Sequence, residues 1–334
     1  MFKVALLSRW HVHSHRSDQR YVKELLKQPD CTVTCVWDED EQVAREWASE
    51  YGVPYETELE RVLSRQDVDG VLVTSNARDH KKILIAAAKH GKHIFTEKVL
   101  AFSVEEATEI RDAIKQSGVK FCIAFTRLAI RQLAYAKQLI ESGELGKPVT
   151  FRCLCGHAQG VQNELPEYWY DPAVTGGGAM IDLGFNSAYL ARYIMGNIRS
   201  VSSTFTNSVL HKAVEDNASC NVLFENGAMG LIEATFASPL MSVFELSVYG
   251  TKGAYHARFG GNDCAQLRLA GQPLRELNCK ELPSAPPSPI ALWVKACTAN
   301  GSDELCGIDA AVDLVRFMVA AYASARENGK RIEL

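Results

Sequence analysis

The sequence contains no apolar run approaching the roughly 18 residues a membrane-spanning helix requires. It has no basic arm and no block of five or more like charges, and its formal net charge is only -4 over 334 residues. Nucleic acid or an anionic membrane as partner therefore lacks electrostatic support. The opening run Met1-Phe2-Lys3-Val4-Ala5-Leu6-Leu7 is too short for the core of a signal peptide, and no small-residue cleavage site follows it. A cytoplasmic location is the expectation. The ten cysteines include no Cys-x-x-Cys; Cys31/Cys35 and Cys153/Cys155 have same-face strand spacing, as packed, reduced thiols would. Internal repeats and low-complexity tracts are absent as well.

What is present is a chain with 47% hydrophobic and 23% charged residues, long enough for two cores. In the first 125 residues, strand patterns at 2–8, 31–37, 70–73, 93–96 and 119–125 alternate with helical patterns near 18–28, 41–51, 59–63, 79–90 and 103–117. That alternation predicts a doubly wound parallel sheet, whose ligands bind at the carboxyl ends of the strands. From 126 onward a helix at 130–142 precedes strand patterns at 149–155, 199–206, 218–225, 228–236, 243–250, 254–259 and 265–269. Turns such as Glu225-Asn226-Gly227 join consecutive strands, which are then antiparallel. The expectation is an α/β chain: residues 1–125 as a nucleotide-binding domain and 126–334 as an α+β domain with a large open, mainly antiparallel sheet. Ser284–Pro289 is read as a proline-rich connector inside the second domain. One wide sheet face needs cover, and self-association into a homodimer or homotetramer would supply it.

The strand ends hold the candidate chemistry. Asp38 follows the second strand, where a carboxylate bonds the ribose hydroxyls of NAD and repels the 2′-phosphate of NADP. The loop after the first strand is Ser8-Arg9-Trp10-His11-Val12-His13, without the glycines of a dinucleotide fingerprint. His11, His13 and His15 alternate, but no acidic or cysteine partner stands near them in sequence at ligand spacing. No metal is expected, and Ser8, Trp10, His11, Val12 and His13 are assigned instead to the cofactor pyrophosphate. Glu97-Lys98 at a strand exit is costly unless it has a partner or a task. In the second domain, Gly176-Gly177-Gly178 leads into a helix that carries Asp182 and Asn186 four residues apart on one face, near Tyr168-Trp169-Tyr170. These residues read as a pocket wall, with Arg127, after the last strand of the first domain, as a further anion contact.

Taken in order, Thr74-Ser75-Asn76 with His80, Gly91-Lys92-His93-Ile94-Phe95-Thr96-Glu97-Lys98, Glu141-Ser142-Gly143-Glu144-Leu145-Gly146-Lys147-Pro148, the triple glycine to Asp182, and Tyr249-Gly250-Thr251-Lys252-Gly253 resemble the glucose–fructose oxidoreductase, inositol dehydrogenase and MocA family. The resemblance spans nearly the whole chain. It implies a Rossmann domain, a nicotinamide cofactor, and hydride transfer at a hydroxyl-bearing carbon of a sugar, sugar derivative or cyclitol. It also implies that Thr74, Ser75, Asn76, His80, Glu97 and Lys98 serve the cofactor. Lys98, Asp182 and Asn186 would be catalytic, and Lys98, Arg127, Tyr168, Trp169, Asp182 and Asn186 would meet substrate. Three departures stand out: Val99 replaces the family proline, the glycine loop is gone, and Asn186 replaces the family histidine. An imidazole accepts a hydroxyl proton near neutral pH and an amide does not. The resemblance therefore leaves open a sensor that binds nicotinamide and sugar without turnover, and a redox-neutral glycosidase that recycles its NAD.

Overall fold

The computed structural model describes residues 1–15, 18–240, 242–259, 263–278, 280–299, 301 and 304–334. They divide into two units, Met1–Phe125 with Pro287–Val315, and Thr126–Pro286 with Arg316–Leu334. Among the described residues, no helix is long and apolar enough to cross a membrane.

In the first unit, β1 (Phe2–Leu7), β2 (Cys31–Trp37), β3 (Tyr55–Glu56), β4 (Gly70–Val73), β5 (His93–Thr96) and β6 (Phe121–Ile123) form one sheet in the order β3-β2-β1-β4-β5-β6. Every pairing in it is parallel. Helices cover both faces of such a sheet, which is why its central strands are mostly apolar: Val4 to Leu7 and all of β4 are buried. The helices are closed by local signals. Asp40 accepts from the Gln42 and Val43 amides at the start of Glu41–Tyr51, and Gly52 ends that helix with φ 66°. Ser103 caps Val104–Ser117 in the same way through the Glu106 amide. Strand order reverses between β1 and β4, and the crevice at their carboxyl ends is where such folds bind ligands.

The late helix Pro289–Ala299 belongs to this unit. Its buried Trp293 packs edge-on to Phe2 at 5.3 Å between ring centroids and tilts against Phe95 at 5.9 Å. The chain therefore passes from one unit to the other at Pro286/Pro287, inside the stretch expected to be a mere connector. The expectation of wholly reduced cysteines is corrected too, because Cys122 of β6 and Cys306 form a disulfide. Their 184-residue separation hides the pairing from any reading of spacing. Cys31, Cys35, Cys153, Cys220 and Cys264 are free thiols, and Cys279 lies outside the described residues.

The second unit holds β7 (Pro148–His157), β8 (Ile198–Thr206), β9 (Asn217–Phe224), β10 (Met229–Thr235), β11 (Ser242–Gly250), β12 (Gly253–Phe259), β13 (Cys264–Leu269), β14 (Arg275–Glu276) and β15 (Ile332–Glu333). They form a sheet in the order β14-β13-β12-β11-β7-β10-β9-β8-β15, antiparallel except where β10 pairs with β7. Burial alternates along the strands, as a one-sided sheet requires. Phe151, Cys153, Cys155, Ile232 and Ala234 face inward, while Arg152, Leu154, Leu231 and Glu233 lie on the open face. Fold class and family pattern agree: a Rossmann-like parallel sheet followed by a mostly antiparallel one.

Candidate active site

Ser8 leaves β1 with φ 63°, a left-handed conformation that glycine adopts without cost and serine does not. The loop keeps the backbone turn of a glycine motif while carrying side chains. Backbone groups anchor it: Ser8 N–H donates to Trp37 O at 2.8 Å, the Thr74 hydroxyl donates to Ser8 O at 2.5 Å, and His11 N–H donates to Thr74 O at 3.0 Å. Val12 lies in a single 3-10 turn, Val12–Ser14, and Trp10 is half-buried with its ring 6.1 Å from that of His11.

Asp38 sits at the exit of β2, and both of its oxygens accept backbone N–H groups, from Arg9 at 2.8 Å and from Asp40 at 3.0 Å. Each carboxylate oxygen has a further lone pair for a ribose hydroxyl. Beyond β4, Thr74, Ser75 and Asn76 are all buried. Asn76 donates to Asp79 at 2.6 Å, but its Oδ1 and the Ser75 hydroxyl are buried with no partner among the described residues. Buried polar atoms in that condition are costly unless a ligand or water completes them. This is the observation that fits a polar cofactor to these strand ends.

His80 is fully buried. Its Nδ1 lies 3.1 Å from Leu100 O and its Nε2 3.4 Å from the Thr96 hydroxyl. Burial depresses its basicity, with the Leu100 carbonyl opposing in part. Both ring nitrogens are used inside the protein, so any effect of His80 on a cofactor passes through the 96–100 turn it holds. The Lys98–Val99 peptide in that turn is cis.

The largest surprise is at Glu97. Its side chain is buried, Oε2 accepts the Lys98 amide at 3.1 Å, and Oε1 faces His13 Nδ1 at 2.5 Å and His11 Nδ1 at 3.2 Å. Burial acts to raise its pKa, but the facing His11 and His13, the His13 hydrogen bond and Lys98 together hold it well below the usual carboxylate range. The acidic partner missing from the neighbourhood of the histidines in sequence is supplied by β5. The three side chains place their donor atoms within 4.8 Å of one another. Tyr21, whose hydroxyl is 3.1 Å from His13 Nδ1, joins the cluster and carries no sequence signal for it.

In the second unit, the helix expected after the triple glycine begins as a π-helical turn, Met180–Gly184, and becomes α-helical at Phe185. Asp182 therefore lies on the π-turn, a feature frequent at functional sites, and its Oδ2 accepts from Trp169 Nε1 at 3.3 Å. Tyr168 packs its ring 5.8 Å from that of Trp169. Asn186 is buried, not solvated: its Nδ2 donates to Leu183 O at 3.2 Å and its Oδ1 accepts from the Tyr189 hydroxyl at 3.4 Å. The same Tyr189 oxygen accepts the Arg127 amide at 3.0 Å. The Arg127 guanidinium lies 4.0 Å over the Phe244 ring and 3.6 Å from Cys155 Sγ, so Arg127 is a packed residue and not an exposed loop arginine. Tyr189 was the missed member, although its place three residues after Asn186 was a usable helical signal.

The glycine run is clamped from below. The Glu215 carboxylate accepts Gly178 N–H at 3.0 Å, Met180 N–H at 2.9 Å and the Tyr322 hydroxyl at 2.6 Å. Burial pushes the Glu215 carboxyl up, and these bonds offset part of the rise.

Residues 15–125 match the oxidoreductase family described as an NAD-binding Rossmann fold, and residues 133–256 match the GFO/IDH/MocA C-terminal domain. This chain belongs to the Gfo/Idh/MocA family. Scyllo-inositol 2-dehydrogenase (NAD(+)) of Bacillus subtilis is 31% identical over 240 residues, 68% of this chain and 66% of that enzyme. The chain thus matches just under two thirds of that relative's length. The 1,5-anhydro-D-fructose reductase of Ensifer adhaerens is 26% identical over 304 residues, covering 86% and 87% of the two chains. Among solved structures, levoglucosan dehydrogenase in complex with NADH and levoglucosan superposes with a TM-score of 0.88 at 21% identity, over 99% of both chains. At that identity the superposition establishes the fold alone.

Proposed function

We propose that the protein is a nicotinamide-dependent dehydrogenase acting on a hydroxyl-bearing carbon of a sugar, sugar derivative or cyclitol. The observation that carries this reading is the set of polar groups at the carboxyl ends of β2, β4 and β5: Asp38, the unpartnered Ser75 hydroxyl and Asn76 Oδ1, and the Glu97-Lys98 exit. The dehydrogenase and reductase relatives in the family support it. NAD is favoured over NADP because Asp38 would repel a 2′-phosphate.

When bound, the nicotinamide supplies the hydride acceptor. The chain supplies the rest. Ser8, Trp10, His11, Val12, His13 and Asp38 would hold the dinucleotide, together with Thr74, Ser75, Asn76 and Glu97, and His80 fixes the turn. Lys98 Nζ takes the hydroxyl proton as the carbon is oxidised and returns it in the reverse direction. Asp182, Asn186, Arg127, Tyr168 and Trp169 orient the substrate hydroxyls. Asn186 contributes hydrogen bonds only, since an amide takes no proton near neutral pH.

The test is a Lys98→Ala protein assayed for NADH binding by fluorescence and for turnover on a panel of cyclitols and sugars. Cofactor binding is expected to persist while turnover falls by about 10²–10⁴-fold, the usual weight of a general acid–base. Near-native turnover would remove Lys98 from the chemistry. The buried, internally bonded Asn186 also favours a second reading, a sensor that binds cofactor and sugar without reaction. Absence of turnover by the native protein across the panel, with ligand binding intact, would select it.

A further inference from the structure

We propose that His11, His13 and Glu97 form a binding site for a divalent transition-metal ion, with Zn2+ the best match to the donors. Two imidazoles and a carboxylate suit zinc, cobalt or ferrous iron; calcium and magnesium favour all-oxygen sets. The histidines come from the loop after β1 and the carboxylate from the end of β5, and their donor atoms all lie within 4.8 Å of one another.

The hydrogen bonding gives the physical reason. His11 Nδ1 accepts the His13 backbone N–H at 3.2 Å through its lone pair. It also lies 3.2 Å from Glu97 Oε1. Two such acceptors facing each other in a buried setting need a cation between them, a proton or a metal ion. The surroundings also orient the donors as a second shell does for a metal. Lys98 N–H holds Oε2 and leaves Oε1 turned to the histidines, while Thr74 O and the Ser14 hydroxyl bind the His11 backbone.

The spacing is close to that of a coordinated set. Zinc bonds of about 2.0–2.1 Å place neighbouring donors of a tetrahedron about 3.4 Å apart. The His11–Glu97 separation of 3.2 Å is already near this. The 2.5 Å separation of His13 from Glu97 must open by about 0.9 Å to reach that tetrahedral spacing. His13, with its side chain 21% exposed, has room to turn. Three protein donors leave a fourth position for water or for the Tyr21 hydroxyl, 3.1 Å from His13 Nδ1.

The site stands on the first unit's geometry and not on hydride transfer, so it is tested without nicotinamide. Full-length protein is treated with chelator, dialysed, and titrated with Co2+ alone while its visible ligand-field absorption is followed; Zn2+ is then added in competition. The expected result is saturable uptake of one Co2+ per chain, displaced by Zn2+, and a rise in Tm on adding Zn2+. Losing an outer-shell partner of a metal costs about 10–100-fold in affinity. His13→Ala, which removes a direct ligand, is therefore expected to weaken Co2+ binding by at least about 100-fold. Glu97→Gln should do the same, and His15→Ala, at an exposed position outside the cluster, should leave binding intact. If Glu97→Gln fails to fold, the partly exposed His13 decides the matter. Absence of saturable uptake by the native protein, or equal affinity in the His13→Ala variant, would overturn the site and leave a hydrogen-bonded knot in its place. Neither result bears on turnover by Lys98.

Discussion

The Asp38 carboxylate staples the β1 loop to the end of β2 through the Arg9 and Asp40 amides. In the proposed site it would also set the local charge beside the ribose. Replacing it by asparagine keeps one oxygen for the amides and removes the charge. The NAD over NADP preference, read as a ratio of kcat/KM values, is expected to fall by about tenfold or more, since about 1.4 kcal/mol separates a tenfold change. An unchanged ratio would show that Asp38 is structural only. His80 poses a different test. Its folded pKa lies below the unfolded value, so the folded state holds fewer protons. The stability this contributes is complete above about pH 6.5 and is lost as pH falls below that value toward the depressed folded pKa. Thermal melts from pH 8 to pH 5 should show a decline that is shallower in a His80→Gln protein. Equal slopes would remove His80 as its source.

At the scale of elements, the turn at the triple glycine is the most tightly specified. A Cβ on Gly178 would collide with the Glu215 carbonyl and approach Val214 Cβ to 3.0 Å. Gly178→Ala is therefore expected to destabilise the protein by about 1–3 kcal/mol, the usual penalty of overpacking. Urea denaturation measures it, and a neutral result would mean the turn relaxes without harm to the Glu215 clamp. Elements of this kind were legible in the sequence because their causes are local. Asp40 and Gly52 bracket one helix and Ser103 opens another within a few residues of the periodicity they bound. The π-turn around Asp182 was not legible, since i and i+4 apolar spacing does not distinguish it from an ordinary helix start.

For the molecule as a whole, the crossing at Pro286/Pro287 makes the first unit depend on residues far along the chain. Trp293 is fully buried among Phe2, Phe95 and the backbone at Gly70. Trp293→Ala is expected to cost about 3–5 kcal/mol, as large aromatic deletions do; a loss below about 1 kcal/mol, within the range of ordinary surface changes, would contradict its place in that core. On the open face of the second sheet, Leu154 and Leu231 lie beside the Arg152–Glu233 ion pair. We propose self-association through this face, and light scattering of the eluted protein would reveal a monomer if the proposal fails.

Strand and helix periodicity, caps, the Glu97-Lys98 exit and the family motifs are written in short stretches, and the sequence by itself determined them together with the α/β architecture they imply. Partnerships across the chain were decided only by the tertiary structure. His13 meets Glu97 across 84 residues, Cys122 meets Cys306 across 184, and Trp293 reaches the core of the first sheet. Local pattern carries no record of such pairs, because strand order and loop path set the distance between side chains that sequence separation leaves open. The histidine loop shows the division most clearly: its missing glycines were plain from the start, and the carboxylate that faces its histidines came from the end of β5.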